Sequence, residues 1–421
     1  MKFRGFGWQN GGVRNVDVAV VGAGQAGLAT SFYLSQSGID HVVLDRAVVA
    51  DGWRNRRWDS FTLNIPNWSF TLPGFPYDGQ DPDGFMTREE IVERVARYAG
   101  LINAPVEEGI DVTALKQIAD GTYLLTTTSG PIGARAVVVA TGAYQREHRP
   151  ANQLDASILQ LSSAQYRNPG ELEDGGVLVV GSGQSGCQIA EDLVADGRRV
   201  WLATGFCGWM PRRYRGRDNV AWRMDMRVFD ETVEQLGYES RRACPPIQTG
   251  VGRDRDLNLR TLREAGVTLT GRFLDGYRTI VRLADDLPQN AARSDEFARR
   301  FMANVDAYVR DAGIDAPAPP PLSSFSNHDT APTELDLAGL NITNVIWSTG
   351  FRLDFNWIEL DLNLRDGYPE QTQGVSRHPG LYFMGLQLMH TRKSGLIFGV
   401  GEDAGHVAAH LGVYLSTRPG A

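Results

Sequence analysis

Two copies of one glycine motif constrain the fold of this chain more than any other feature of its sequence. The G-x-G-x-x-G glycines are Gly22, Gly24 and Gly27 in the first copy, and Gly181, Gly183 and Gly186 in the second. Each copy follows a short apolar run, 16–21 or 176–180, and the two copies are offset by 159 residues throughout. Gly38 and Gly197, which we expect to end the following helices, keep that offset. The sequence therefore predicts two strand–turn–helix–strand units.

Such a unit is typical of a dinucleotide-binding site. The first glycine makes the tight turn, the second lets the backbone approach a pyrophosphate, and the third lets the helix pack on the strand. The helix begins with free N–H groups and a partial positive charge, which attract phosphate. Gln25, Ala26, Gln184 and Ser185 occupy the first helical positions, so we expect them beside a cofactor. We predict an α/β fold with two Rossmann-like dinucleotide-binding domains.

The two units differ at the end of their second strand, where nucleotide choice is decided. Asp45 lies 23 residues after Gly22, and a carboxylate there binds a ribose 2′-hydroxyl, as in FAD or NAD. The matching residue of the second unit is the uncharged Thr204, and Arg212 and Arg213 follow it. Because arginine forks suit phosphate oxygens, we predict NADP in the second unit. A solvated surface cluster is the other interpretation of these arginines.

Further segments carry a resemblance to a known family. They are Gly52-Trp53-Arg54 with Arg57-Trp58-Asp59 and Leu63-Asn64, then 137–142 (VVVATG), 345–351 (VIWSTGF), 381–385 (LYFMG) and 399–404 (GVGEDA). From about residue 14 to about 410, the chain resembles the class B flavin-dependent monooxygenases, which include flavin-containing monooxygenases and Baeyer–Villiger enzymes. The absence of a C-x-x-C motif argues against the disulfide reductases that share this architecture.

The resemblance implies a domain order and a set of site residues. The FAD-binding domain is discontinuous, 1–150 and 340–421, and an NADP-binding domain of the same three-layer ββα type, 170–339, is inserted between two hinge strands with a helical insertion at about 215–335. Beyond the loops, the expected cofactor contacts are Arg46, Gly52, Trp53, Trp58, Leu63, Val112, Ala140, Thr141, Gly142, Ser348, Thr349, Gly350, Gly385, Gln387 and Gly401. Trp53 and Trp58 equally suit a role as core aromatics.

The resemblance also implies a chemistry. NADPH reduces FAD, and a C4a-hydroperoxyflavin passes one oxygen atom from O₂ to an N or S atom of a small metabolite, an amine or a sulfide. Asn64 is the candidate catalytic side chain, and the alternative for it is an Asx turn before Ile65-Pro66. Baeyer–Villiger oxygenation, a flavin amine oxidase or dehydrogenase, and a non-catalytic nucleotide sensor remain open.

One departure from the family affects the choice among these functions. The family's F-x-G-x-x-x-H fingerprint aligns with Ala156, Ile158 and Ser162, so its histidine is missing. This weakens the Baeyer–Villiger interpretation and leaves open a variant that oxidises its substrate without NADPH.

Composition narrows the remaining classes. A net charge of −8 argues against nucleic-acid binding. The sequence contains no run of 18 apolar residues, so we expect no membrane span. Met1 to Gly12 lacks the apolar core of a signal peptide, so we expect a cytoplasmic protein and allow for a homodimer. Three cysteines predict no disulfide framework and no paired-cysteine redox centre, and seven histidines without an H-x-x-x-H pair predict no metal site.

Overall fold

The computed structural model describes residues 12–119, 121–319 and 331–417. The helices in these ranges are α1 (Gln25–Gln36), α2 (Asp51–Asn55), α3 (Arg88–Leu101), α4 (Gln184–Ala195), α5 (Asn219–Asp225), α6 (Val233–Leu236), α7 (Leu259–Glu264), α8 (Leu287–Asp311) and α9 (Val400–Thr417). We based the expectation that the chain has no signal peptide on Met1 to Gly12, and nearly all of this segment lies outside the described residues.

The strands are short, and most belong to two large sheets. In the first half of the chain they are β1 (Arg14–Val21), β2 (His41–Asp45), β3 (Val106–Glu108), β4 (Val112–Gln117), β5 (Tyr123–Thr127), β6 (Ile132–Val139), β7 (Arg146–Glu147), β8 (Gln153–Leu154), β9 (Leu159–Ser162), β10 (Gly176–Val180) and β11 (Val200–Ala203). The rest are β12 (Arg213–Tyr214), β13 (Arg217–Asp218), β14 (Thr268–Thr270), β15 (Phe273–Arg278), β16 (Ile280–Leu283), β17 (Glu334–Asp336), β18 (Ile342–Trp347), β19 (Phe351–Arg352), β20 (Gln371–Thr372), β21 (Val375–Ser376) and β22 (Leu381–Phe383).

The first sheet is built around the first glycine motif. Its order is β20-β21-β22-β6-β1-β2-β3, and the strands from β22 to β3 run parallel. β4 and β5 extend from one end of β6 as an antiparallel meander. β1 and β6 are almost wholly buried, as expected of parallel strands covered on both faces.

The second sheet repeats this plan. Its order is β14-β11-β10-β18-β9, and all its strands are parallel. Alternate residues of β10 point to opposite faces. Val177 and Val179 pack in the same core as α4, whereas Leu178 and Val180 pack with the small sheet β17-β16-β15-β8. The predicted fold class, two Rossmann-like domains of the ββα type with one inserted in the other, is confirmed.

The domain limits differ in detail from the prediction. The boundary at 340 assigned residues 342–347 to the FAD-binding part, but β18 pairs with β10 and β9 in the second sheet. The region 215–335 is also not simply helical, since it contributes β14 to the second sheet and most of the small sheet. Short strands with little periodicity produced this error.

The chain crosses between the two sheets twice, and the crossings are bound to each other. After β6 and after β18 the chain forms β7 and β19, which pair antiparallel. The backbone N–H of His148 donates to Gly350, and Thr349 Oγ1 donates back to the His148 carbonyl. The two hinge strands predicted from sequence therefore lead into one paired connection.

Candidate cofactor and active site

The first glycine loop has a shape that only glycine permits at two positions. Gly22 has φ +112°, and a Cβ there would lie 2.5 Å from the carbonyl oxygen of Ala140. A Cβ on Gly27 would overlap the carbonyl oxygen of Gly22. Gly24 differs, because a Cβ there would meet no atom within 4 Å. The loop is therefore packed on its inner side and open at Gly24, which is the arrangement that a pyrophosphate needs.

The helix that follows is ready to receive an anion. No described side chain caps α1 at Gly24, and its first turn has no acidic residue. Asp45 accepts from the backbone N–H groups of Ala23 (2.7 Å) and Ala47 (2.9 Å). Each carboxylate oxygen keeps a further lone pair for a ribose hydroxyl. The backbone of Ile110 donates to Asp45, so Val112, two residues on, lies near this end of the loop, and Arg46 is exposed beside it.

The C-terminal segment closes over the first loop from the other side. Gln25 Nε2 donates to the Gly395 carbonyl at 2.8 Å, and a Cβ on Gly385 would lie 2.8 Å from that of Ala26. Gly401, in the first turn of α9, packs against Pro73. The Gln387 carbonyl accepts from Tyr368, which leaves the Gln387 carboxamide for a ligand. The predicted residues from three segments thus meet at one edge of the first sheet.

Thr141 and Gly142 continue this edge from β6. Gln145 donates to the Thr141 hydroxyl (2.9 Å) and to the Gly142 carbonyl (2.8 Å). Gly142 has φ +74°, where the chain turns toward the second sheet. These two residues therefore lie between the first glycine loop and the hinge.

The second glycine loop repeats the geometry of the first. Gly181 has φ +102°, and a Cβ there would lie 2.6 Å from the carbonyl oxygen of Ser348; one on Gly186 would overlap the carbonyl of Gly181. No described side chain caps α4 at Gly183. Gln184 exchanges hydrogen bonds with the backbone of Gln248, while Ser185 is half-buried in the same turn. The Ser348 hydroxyl is buried without a partner.

Two predicted NADP contacts have other partners in this structure. The Thr204 side chain is 1% exposed, and its hydroxyl donates to the Thr270 carbonyl at 2.8 Å. Arg212 is also 1% exposed, and its guanidinium donates to Asp218 (2.9 Å), Gln248 (3.0 Å) and the carbonyl of Asn64 (2.9 Å). A 2′-phosphate would have to displace these partners, so the structure does not support either contact and both stay predictions.

Arg213 is the member of that pair that stays accessible. It is 38% exposed and pairs with Asp254, itself 73% exposed, at 2.9 Å. A contact between such mobile, solvated groups is weak and is readily exchanged for a phosphate. The 2′-phosphate contact of Arg213 stays a prediction.

The segment predicted to run along the flavin lies against both sheets. Trp58 is 3% exposed and packs edge-on to Phe61, as a core aromatic does. Trp53 is half-buried; the Arg57 guanidinium lies 5.4 Å from its ring centre and 5.6 Å from that of Tyr144. Gly52, in α2, has open space where a Cβ would be. Trp53 and Gly52 therefore face an open region, whereas Trp58 supports them from the core.

Asn64 has an unengaged side chain. It follows the buried Leu63, is half-buried, and its carboxamide makes no hydrogen bond to any described residue. The Asx-turn alternative is contradicted, because residue 66 is proline and has no N–H to donate. Arg212 instead fixes the Asn64 backbone through its carbonyl. The carboxamide is thus held in place and available.

Ser162, in the position of the family histidine, ends β9. Its side chain is 4% exposed and its hydroxyl is buried without a partner. Tyr166 nearby is fully buried and donates to Asp192 in α4 at 2.5 Å. The fingerprint segment therefore packs against the second domain without its histidine.

Three residues escaped the sequence analysis. Cys244 lies 3.3 Å from where a Cβ of Gly183 would be, and its thiol contacts that of Cys207. Asp403, in the first turn of α9, is 5% exposed with an unpartnered Oδ2, and burial raises its pKa to about 6. Arg223 has no carboxylate partner among the described residues. The sequence shows Arg223 only as one charged residue in a short helix that also contains Asp225, and no sequence signal pointed to Cys244.

Comparison with known proteins agrees with this geometry. Residues 19–232 match the family model described as pyridine nucleotide-disulphide oxidoreductase. The chain is 31% identical over 396 residues to an uncharacterized oxidoreductase, CzcO-like, of Geobacillus kaustophilus (92% of this chain, 96% of the relative). It is 30% identical over 331 residues to the indole-3-pyruvate monooxygenase YUCCA1 of Oryza sativa subsp. japonica (70% and 79%).

A solved structure extends the likeness over the whole fold. The flavin-containing monooxygenase from Stenotrophomonas maltophilia superposes with a TM-score of 0.60 at 22% identity, covering 95% of this chain and 99% of that one. The chain therefore belongs to the pyridine nucleotide-disulphide oxidoreductase family and, within it, to the class B flavin-dependent monooxygenases, which are oxidoreductases that use FAD and NADPH.

Proposed function

We propose that this chain is an FAD-dependent, NADPH-using monooxygenase that transfers one oxygen atom of O₂ to an N or S atom of a small metabolite. The observation that carries the proposal is the link between Asn64 and the second glycine loop. Arg212 binds the Asn64 carbonyl and the Gln248 side chain, and Gln248 binds Gln184 of the second loop. A dinucleotide bound at that loop therefore lies near the Asn64 carboxamide, and we propose that the flavin of an FAD bound at the first loop approaches the same group.

Each cofactor has residues that suit it. The first loop with Asp45, Ala140 and Gly385 suits FAD, and the second loop with Ser348 suits NADPH, for which the buried Ser348 hydroxyl is an unused donor. When bound, the flavin would supply the oxygen-transfer chemistry. The Asn64 carboxamide would donate a hydrogen bond at the reacting edge.

Oxygenation at N or S suits the side chains present. Amine and sulfide atoms are nucleophiles, so their attack on an electrophilic oxygen requires little acid–base help from the protein. Ser162 stands where the family fingerprint has a histidine, and in Baeyer–Villiger enzymes that histidine matters to domain motion and NADPH use. This favours N or S as the acceptor.

Baeyer–Villiger oxygenation of a 2-oxo acid is the second candidate. It is supported by the relative named indole-3-pyruvate monooxygenase, whose name specifies such a substrate. Product masses separate the two, since an N- or S-oxide retains all carbon atoms of its substrate, whereas a 2-oxo acid that gains one oxygen atom would lose one carbon as CO₂ and leave a shorter carboxylic acid.

The test begins with flavin reduction. We expect NADPH to bleach the yellow protein without oxygen, and readmitted isotope-labelled O₂ to appear as one labelled atom in the product of an amine or sulfide substrate. Absence of bleaching by NADPH refutes the proposal. Bleaching without incorporation of labelled oxygen indicates a dehydrogenase or oxidase instead. Asn64→Asp, of similar size, should retain FAD and lower oxygen transfer, whereas Asn304→Asp, at an exposed position of α8, should not.

Location and assembly are further proposals. Among residues 12–119, 121–319 and 331–417, no helix combines the length and the apolar character that crossing a membrane requires. We propose a cytoplasmic enzyme. We also propose a homodimer, and light scattering on the purified holoprotein tests this oligomeric state.

A further inference from the structure

An arginine without a carboxylate lies beside the candidate active site. Arg223, on α5, is half-buried, and its Nε is buried with no acceptor. Nothing in the described ranges forms an ion pair or a hydrogen bond with this guanidinium, which stacks on Phe229 at 4.2 Å. Burial of an unpaired charge costs free energy that a structural role alone does not return.

The carboxylates near Arg223 are already committed to other cations. Asp218 pairs with Arg212 at 2.9 Å, and Glu231 pairs with Arg392 at 2.6 Å. Burial, together with the neighbouring charges of Arg392 and Arg212, lowers the pKa of Arg223 to about 9, so the group is still cationic at neutral pH. Three guanidinium groups thus face two carboxylates, and one positive charge is uncompensated.

The surroundings of Arg223 connect it to the reacting region. Arg212, one of its cationic neighbours, holds the Asn64 carbonyl. On the other side, the Phe229 carbonyl accepts from the backbone of Lys393, and the Phe229 ring packs edge-on against Phe398, just before α9. Arg223 therefore lies between Asn64 and the start of α9, the two elements expected to flank the flavin ring.

A cavity of about 390 Å³ borders the ring on which Arg223 stacks. Its wall is largely apolar, with charged groups at one side: Trp68, Ser69, Thr71, Met224, Phe229 and Phe398, with Arg227, Asp230 and Lys393. Lys393 is engaged by Asp230 and Glu402, both at 2.7 Å, and Arg227 by Asp230 at 2.9 Å. Of these cations, Arg223 is thus the one without a carboxylate partner among the described residues.

We propose that Arg223 binds the carboxylate of the substrate, so that the enzyme oxygenates small organic acids with an apolar or aromatic body. A guanidinium offers a planar fork that matches a carboxylate with two parallel hydrogen bonds. The apolar wall then receives the rest of the molecule. The assignment of substrate class rests on the proposed monooxygenase function, but the anion site itself does not.

The test compares a matched pair of probes, (phenylthio)acetate and its primary amide, by calorimetric titration of the FAD-loaded protein. We expect the acid to bind about ten- to a hundredfold more tightly than the amide, the range of a charged hydrogen-bonded contact. Arg223→Gln should abolish this preference, and Arg223→Lys should retain part of it. Arg217→Gln removes a nearby cation, on β13 directly before α5, that already pairs with Asp225, and should leave the preference unchanged.

Three results would overturn the proposal. They are equal or undetectable binding of acid and amide by the unaltered protein, an undiminished preference in Arg223→Gln, and a raised KM for NADPH in Arg223→Gln with acid binding intact. The last result would assign the guanidinium to a nucleotide phosphate. The comparison of acid and amide in the unaltered protein needs no variant, so it can still refute the proposal if Arg223→Gln folds poorly. Calorimetry requires no turnover, so it tests the anion site alone. Failure of NADPH to bleach the flavin would refute the monooxygenase proposal and leave the anion site standing.

Discussion

Replacement of Arg212 by alanine separates a structural role from a nucleotide-binding one. The side chain is 1% exposed and donates to Asp218, Gln248 and the carbonyl of Asn64, so it ties the first domain to the second. Burial lowers its pKa and raises that of Asp218, as expected when both groups leave water, and each partner's charge opposes the shift. The alanine variant strands the Asp218 carboxylate in this environment.

The expected loss is large. Removal of one partner of a buried ion pair costs about 3–5 kcal/mol. At about 2–4 °C per kcal/mol for a domain of this size, the melting temperature should fall by between about 6 and about 20 °C. Arg213→Ala is the matched control, because it breaks an exposed pair worth at most about 1 kcal/mol.

Thermal melting of the FAD-loaded proteins and a KM comparison of NADPH with NADH provide the assay. We expect Arg212→Ala to melt early with an unchanged NADPH preference. Arg212→Met combined with Asp218→Asn should recover much of the loss, since it removes both charges, and asparagine can still cap α5 as Asp218 does at Val220. If Arg212→Ala melts within about 2 °C of the parent and loses affinity for NADPH alone, the guanidinium serves the 2′-phosphate and our reasoning fails.

Three further predictions concern the two loops and α9. Gly24→Ala meets no protein atom, so the apoprotein should melt unchanged while FAD affinity drops at least about tenfold, as judged by retained yellow colour; undiminished FAD would remove the pyrophosphate from this loop. The thiol of Cys207 lowers the pKa of the exposed Cys244 beside Gly183, so N-ethylmaleimide should label Cys244 first and block NADPH binding. Bound NADPH should protect Cys244 from labelling, and Cys244→Ser should be insensitive to the reagent. Labelling of Cys244 without loss of NADPH use contradicts this prediction. Burial raises the pKa of Asp403 to about 6, so the folded protein holds this proton more tightly than the unfolded chain. About 3 kcal/mol of folding stability should therefore be lost as the pH rises from about 4 to about 6. Melts of Asp403→Asn across this range should lack that loss, and a parallel pH dependence would rule it out.

The glycine loops were predictable because a strand, a turn and a helix follow one another directly in the sequence. A Cβ on Gly27 would overlap the Gly22 carbonyl within the same loop, whereas the atom that excludes a Cβ on Gly22 is the Ala140 carbonyl oxygen, at the end of the neighbouring strand. A strand followed by this turn and a helix leaves few other geometries. The same logic holds 159 residues later, so the two domains and their cofactor edges followed from the sequence.

The pairing of the arginine cluster was not predictable, because the partners of Arg213 and Arg215 are distant in sequence and the direction of each side chain depends on the fold. Arg213 and Arg217 lie on the paired strands β12 and β13, where successive side chains point to opposite faces. Arg212 therefore turns inward while Arg213 turns to solvent, and Arg215 pairs with Asp306, which is 91 residues away. A run of like charges reads as one surface in sequence, yet each arginine here has its own carboxylate.

That pairing gives the unpaired arginine its meaning. In a chain where Arg212, Arg213, Arg215 and Arg217 each find a carboxylate, a half-buried Arg223 without one cannot be ascribed to a shortage of acidic residues, which outnumber basic ones by 50 to 42. Neither a carboxylate partner nor full solvation stabilises its positive charge. Such a group is expected at a functional site, where a bound anion compensates the charge. The sequence shows only an arginine in a short helix; the missing carboxylate becomes visible once the nearby acidic groups have been assigned in three dimensions.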